Sequence, residues 1–251
     1  MRMEIGGLPA LRIELRRATA RGHVLFLHGG AYCMGSATSY GSFAARFARK
    51  CGLSATVLDY RLAPEHPYPA GLNDCLAAYQ ALVAEFGDTP IMLAGDSAGG
   101  GAVLATLVRI RDRGLRPPLC AALFSPWTDL TGLSESFRER AHRDPTLHPG
   151  DLIAFAIAYA GRVPRNHSEV SPLFADLHGL PPMLVQVGTE EILYDDSARL
   201  AERIRGAGGD LELEVADGMW HVFQRAMPIL PEARAALDRA SSFIDRQLAR
   251  Q

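Results

Sequence analysis

The chain has 251 residues, of which 48% are hydrophobic and 22% charged, with a formal net charge of −2 at pH 7. That balance excludes a disordered chain and argues against nucleic acid or an anionic membrane as the main partner. The length suits one α/β domain with a core large enough to need no disulfide or metal staple.

Strand-like and helix-like segments alternate along most of the sequence. Arg12–Arg16 alternates apolar and charged residues, as a half-exposed antiparallel strand would. Apolar runs rich in β-branched residues follow at His23–Leu27, Leu53–Leu58, Ile91–Ala94, Leu119–Phe124 and Met183–Val187, and Leu211–Val215 is strand-like as well. Helical periodicity separates them at Tyr40–Cys51, Ala70–Phe86, Ala98–Arg113 and Ser197–Ala207, and a last helix is expected over Glu232–Leu248. Continuous apolar strands divided by amphipathic helices predict an α/β fold with a mostly parallel central sheet and helices on both faces. From Asp129 to Leu180 the pattern breaks, with a helix at about Gly150–Ala160 and no convincing strand. The expectation is a single domain over residues 1–251 with a lid insertion at about 129–180.

Cys33, Cys51, Cys75 and Cys120 show no C-x-x-C spacing, so neither zinc ligation nor a disulfide framework is expected. Met1–Pro9 has no basic segment followed by an apolar one, and no apolar run approaches the ~20 residues that span a bilayer. A cytoplasmic location without membrane attachment is expected.

The strand Ile91–Ala94 runs into Gly95-Asp96-Ser97-Ala98-Gly99-Gly100, which opens a helical segment. A serine on such a strand-to-helix turn projects its hydroxyl from the sheet edge, and the flanking glycines allow the tight backbone approach. Ser97 is the candidate nucleophile. Earlier in the chain, His28-Gly29-Gly30-Ala31 ends the strand His23–Leu27. Such a loop aims backbone N–H groups at an oxyanion: Gly30 and Ala31 together with Ala98 are the candidate donors, with Gly29 supplying the turn. The His28 ring is expected to anchor that loop.

His221 follows the strand-like Leu211–Val215 and is the candidate general base, because the order serine, acid, histidine suits this arrangement. The acid should follow the strand Met183–Val187, where Glu190, Glu191, Asp195 and Asp196 compete and spacing does not choose.

Together these motifs resemble the hormone-sensitive-lipase-like (bacterial family IV) carboxylesterases of the α/β-hydrolase superfamily. The likeness extends from about His23 to Phe243 and includes Asp59–Pro67, the Ser125-Pro126-Trp127 turn and the Gly218-Met219-Trp220-His221 loop. In that family the acid usually begins an Asp-Pro-Leu-x-Asp run. Here the matching run is Glu191-Ile192-Leu193-Tyr194-Asp195, so the resemblance implies Glu191, with Asp195 and Asp196 behind it. The family loop usually carries glycine where this chain has Ala31. Its members usually carry amino-terminal cap helices, whereas the 27 residues before His28 read as strands; a shortened amino-terminal cap and an open pocket with weak chain-length selection are expected.

The resemblance further implies cis peptide bonds as candidates at Ala63–Pro64, Tyr68–Pro69 and Ser125–Pro126. The function it implies is hydrolysis of short- to medium-chain acyl esters through an acyl-enzyme, with no metal or organic cofactor, a small-molecule ester as partner, and a homodimer by analogy. The alternatives are an amidase or deacetylase on the same triad, or a non-catalytic small-ligand receptor. Tyr32, Met34, Trp127, Trp220 and Phe223 are the expected pocket linings.

Overall fold

A computed structural model of the chain describes residues 1–15 and 20–250. Among these, eight strands form one sheet in the order β1-β2-β4-β3-β5-β6-β7-β8. β1 (Arg2–Ile5) and β2 (Leu8–Ile13) form an antiparallel hairpin, and β2 pairs antiparallel with β4 (Ser54–Leu58). The remaining pairs are parallel: β3 (His23–Leu27), β5 (Ile91–Asp96), β6 (Ala121–Phe124), β7 (Met183–Gly188) and β8 (Leu211–Ala216).

Every residue of β3, β5, β6 and β7 is buried, because helices cover both faces, and that is why their sequences are apolar apart from His23, Asp96 and Gln186. One face is closed by α1 (Ala37–Lys50) and α7 (Pro231–Leu248). Phe43 meets Phe26 edge-on at 5.7 Å, and Phe47 meets Phe124 at 5.4 Å. The other face carries α2 (Ala70–Phe86), α3 (Ala98–Asp112) and α6 (Tyr194–Gly206). α3 is buried without a break from Ala98 to Ile110, so it is the central helix of that layer.

The antiparallel alternation expected at Arg12–Arg16 begins earlier and stops sooner, in β2; Arg16 lies outside the described residues. Arg12, which reads as a solvent-facing charge, is buried and makes a two-pronged pair with Glu85 at 2.8 Å.

Between β6 and β7 run α4 (Glu135–Glu139), α5 (Pro149–Ala160) and a short 3-10 turn at Pro172–Phe174, with no strand among the described residues. α4, with 5 residues, is too short to leave a periodic signal in the sequence. The segment is fastened to the body by Glu169, which receives Arg109 Nε at 2.5 Å and the Tyr68 hydroxyl, and by Tyr159, which stacks on Tyr32 at 3.9 Å. Ala63–Pro64 and Tyr68–Pro69 are cis, whereas Ser125–Pro126 is trans, contrary to expectation.

Candidate active site

The chain order reverses at β3, which has β4 on one side and β5 on the other. A crevice at the carboxyl ends of such strands is where α/β sheets place their ligands. The loops after β3, β5, β6, β7 and β8 carry His28–Ala31, Ser97, Ser125, Glu191 and His221 to that same edge.

Ser97 sits between β5 and α3 with φ 53° and ψ −124°, in a region that L-residues rarely occupy. Its amide donates to Phe124 O at 2.9 Å, and its carbonyl accepts from Trp127 N at 2.9 Å, so neighbouring backbone holds the turn in place. A side chain at Gly99 would bring Cβ to 2.1 Å from Leu27 O, and glycine there is what lets α3 start against the sheet.

Glu191 is fully buried. Its Oε2 accepts from His221 Nδ1 at 2.8 Å, and since a carboxylate only accepts, Nδ1 carries the proton and leaves Nε2 free to take another. Oε1 accepts the Ser125 hydroxyl at 2.7 Å and the Gly188 amide at 2.6 Å. The other carboxylates of the cluster are engaged elsewhere. Glu190 pairs with Arg143, Asp195 accepts the Ser136 amide at 2.8 Å, and Asp196 accepts the amides of Thr128 and Asp129 at 2.6 and 2.7 Å. Burial, aided by nearby Asp129, pushes the Asp196 carboxyl up to about 8.

The loop after β3 is built around His28. Its Nδ1–H donates to Gly29 O at 2.7 Å and its ring stacks on Tyr60 at 4.5 Å, while burial lowers its affinity for a proton. The ring is thus a neutral packing element, 0% exposed. The Gly29 amide is spent on Asp96 Oδ1 at 3.1 Å. Gly30, with φ 119°, and Ala31, with φ 53°, turn the chain so that their amides and that of Ala98 take no acceptor among the described residues. Burial pushes the Asp96 carboxyl up to about 6, against the pull of Arg225 and the Gly29 amide.

Ser97 and His221 open onto one cavity of about 430 Å³, also lined by Gly30, Ala31, Asp96 and Arg225. Its apolar wall comes from Met34 and from Leu147, Leu152 and Phe155 of the segment between β6 and β7. Of the five expected linings only Met34 is there. Tyr32, Trp127 and Phe223 are core residues, and Trp220 packs beside Phe223. Aromatic residues next to motif loops were buried by the loops themselves, and the sequence gives no periodic cue for the wall at 147–155 facing the serine. A larger open cleft of about 1060 Å³, lined by Asp129, Arg165 and Arg199, holds none of the serine, histidine or glutamate, so its size does not make it the reaction site. Among the described residues no group of three or more His, Cys, Asp or Glu could hold a metal ion.

A serine on a tight strand-to-helix turn, a buried acid–imidazole pair and a loop of free amides, all at the carboxyl edge of a mostly parallel sheet, make the arrangement of an α/β hydrolase. The family model described as "alpha/beta hydrolase fold" matches residues 24–225. The chain is 41% identical over 224 residues to an acetyl-hydrolase of Streptomyces hygroscopicus, covering 88% of this chain and 74% of that protein. It is 37% identical over 230 residues to an esterase of Acinetobacter venetianus, covering 90% and 76%. A solved esterase from the bacterial hormone-sensitive lipase family superposes with a TM-score of 0.95 at 42% identity, covering 99% of this chain and 84% of that one. The chain belongs to the α/β-hydrolase family, among the bacterial hormone-sensitive-lipase-like esterases.

Proposed function

We propose that the protein is a carboxylesterase that cleaves short- to medium-chain acyl esters with Ser97 as nucleophile, His221 as general base and Glu191 as the acid that orients it. The observation that carries this reading is the 2.8 Å contact between His221 Nδ1 and buried Glu191, on loops that bring His221 to the cavity of Ser97. His221 Nε2 takes the proton as Ser97 Oγ attacks the ester carbonyl, and the amides of Gly30, Ala31 and Ala98 receive the negative charge that develops on the carbonyl oxygen. His221 then protonates the leaving alcohol, and water resolves the acyl-enzyme by the same route. Gly29 serves the loop through its bond to Asp96 rather than as a donor to substrate.

The names of the relatives, esterases and acetyl-hydrolases, favour an ester of a small acyl group, and a cavity of about 430 Å³ accommodates one. Residues 129–180 act as the lid in this reading, since Thr146, Leu147, Leu152 and Phe155 wall the cavity. The described cysteines are free thiols, and no described helix is long and apolar enough to cross a membrane. A homodimer is proposed on the family resemblance alone.

The test is hydrolysis of p-nitrophenyl acetate, butyrate and octanoate, and of the matched anilides, by the wild type and Ser97→Ala, both confirmed folded. The expected result is ester turnover that falls by at least ~10³-fold in Ser97→Ala, with little cleavage of the anilides. Ester turnover surviving in Ser97→Ala, or a folded wild type that cleaves only anilides, would refute the reading.

A further inference from the structure

The turn after β6 touches every loop of the proposed triad, although none of its residues belongs to it. On one side, Phe124 O receives the Ser97 amide and the Trp127 amide donates to Ser97 O, both at 2.9 Å. On the other, the Ser125 hydroxyl donates to Glu191 Oε1 at 2.7 Å and accepts the Val222 amide at 3.1 Å. Val222 is the neighbour of His221 and has φ 52°. Ser125 itself has φ 49°, is 0% exposed, and is pinned by its own amide to Gln186 O of β7 at 2.7 Å.

A serine held in left-handed backbone, with its hydroxyl used as donor to one triad loop and acceptor from another, is over-determined for a packing role. An alanine there would fill nearly the same space. Glutamate supplies the reason for the arrangement: it has one more torsion than aspartate, and that freedom must be removed for its carboxylate to meet the imidazole in one orientation. Two donors on Oε1, the Ser125 hydroxyl and the Gly188 amide, leave Oε2 facing His221.

We propose that Ser125 is a positioning residue of the triad, its hydroxyl joining Glu191 to the backbone of the loop that carries His221. The proposal rests on the triad reading above. It places Ser125 away from substrate, so its removal affects turnover and leaves binding alone.

The experiment is a double-mutant cycle between position 125 and Glu191, read as kcat and KM for p-nitrophenyl butyrate. Ser125→Ala removes the hydroxyl, and Ser125→Gly is its companion, because φ 49° suits glycine and the fold is then under no added backbone strain. Loss of a hydrogen bond to a charged group is expected to lower kcat by about ten- to a hundredfold, with KM within about twofold. On a Glu191→Gln background the same substitutions are expected to cost less than about threefold more, because Ser125 acts through the carboxylate. An equal loss on both backgrounds would mean a merely structural role and would overturn the inference, as would a wild-type kcat in either folded variant. Full activity in Glu191→Gln alone would overturn the acid assignment and the inference together. An impaired Glu191→Gln with a fully active Ser125→Ala would overturn the inference only.

Discussion

His23 and His221 both belong to the central sheet or its loops, and their surroundings give them opposite uses. The His23 ring is 1% exposed, stacks on Phe86 at 4.4 Å and contacts Thr56 Oγ1 through Nε2 at 2.8 Å. Burial, reinforced by the Arg12 charge, lowers its pKa to about 3. The folded state therefore binds fewer protons than the unfolded state between about pH 3 and 6.5. Its stabilising contribution is complete above pH 6.5 and is lost as pH falls. Between pH 7.5 and 5 the loss should be about 2 kcal/mol. Denaturant titrations of the wild type and His23→Phe at those two pH values check this: the wild type should lose that much more stability than the variant. Parallel losses would mean that His23 titrates normally. At this scale the sequence told the two histidines apart by position alone, a strand start against a late loop. It left four carboxylates open on spacing, and only the resemblance pointed to Glu191. The choice depends on which side chain β7 and its loop turn inward, and nothing in the acidic run Glu190–Asp196 encodes that. Ser125 was visible as part of a turn motif, but its partners lie 66 and 97 residues away, beyond any local signal.

The loops and helices around the site owe their placement to close backbone contact. After Ala98, α3 carries three successive glycines because its first turn lies against neighbouring backbone. A Cβ at Gly99 would come to 2.1 Å from Leu27 O and 2.6 Å from His28 O, and one at Gly101 to 2.1 Å from Trp127 O. All these atoms belong to the main chain and cannot swing aside. Gly99→Ala should therefore push α3 away from the loop that begins at His28, costing at least ~1–3 kcal/mol of stability and disturbing the amides of Gly30 and Ala98 together. A lower denaturation midpoint with a lower kcat is the expected outcome, and an unchanged midpoint would contradict the close-packing account. Helix and strand positions were largely legible, since β3 spans the apolar run His23–Leu27 and α2 spans Ala70–Phe86. In the segment between β6 and β7 the helix expected at about Gly150–Ala160 is present as α5, whereas the rest was legible only as a break in the pattern. Its order comes from distant partners such as Arg109 with Glu169 and Tyr32 with Tyr159, which no periodicity announces.

For the whole molecule, the alternation of largely apolar strands with helices was enough to specify a parallel sheet covered on both faces, and the reversal of strand order at β3 explains where the chemistry gathers. What the pattern could not supply is the shape of the cavity, because its wall is assembled from residues 146–155 meeting loops distant in sequence on both sides, at Gly30–Met34, Asp96–Ser97 and His221–Arg225. The proposed function depends above all on Ser97 acting as a nucleophile activated by the His221–Glu191 pair. A p-nitrophenyl alkylphosphonate tests it directly, since Ser97 Oγ would displace p-nitrophenolate from phosphorus and remain covalently modified. Mass spectrometry should find one adduct per chain, on Ser97, formed rapidly by the wild type and far more slowly by His221→Ala and Glu191→Gln. Labelling on another residue, or at equal rates in all three proteins, would contradict it.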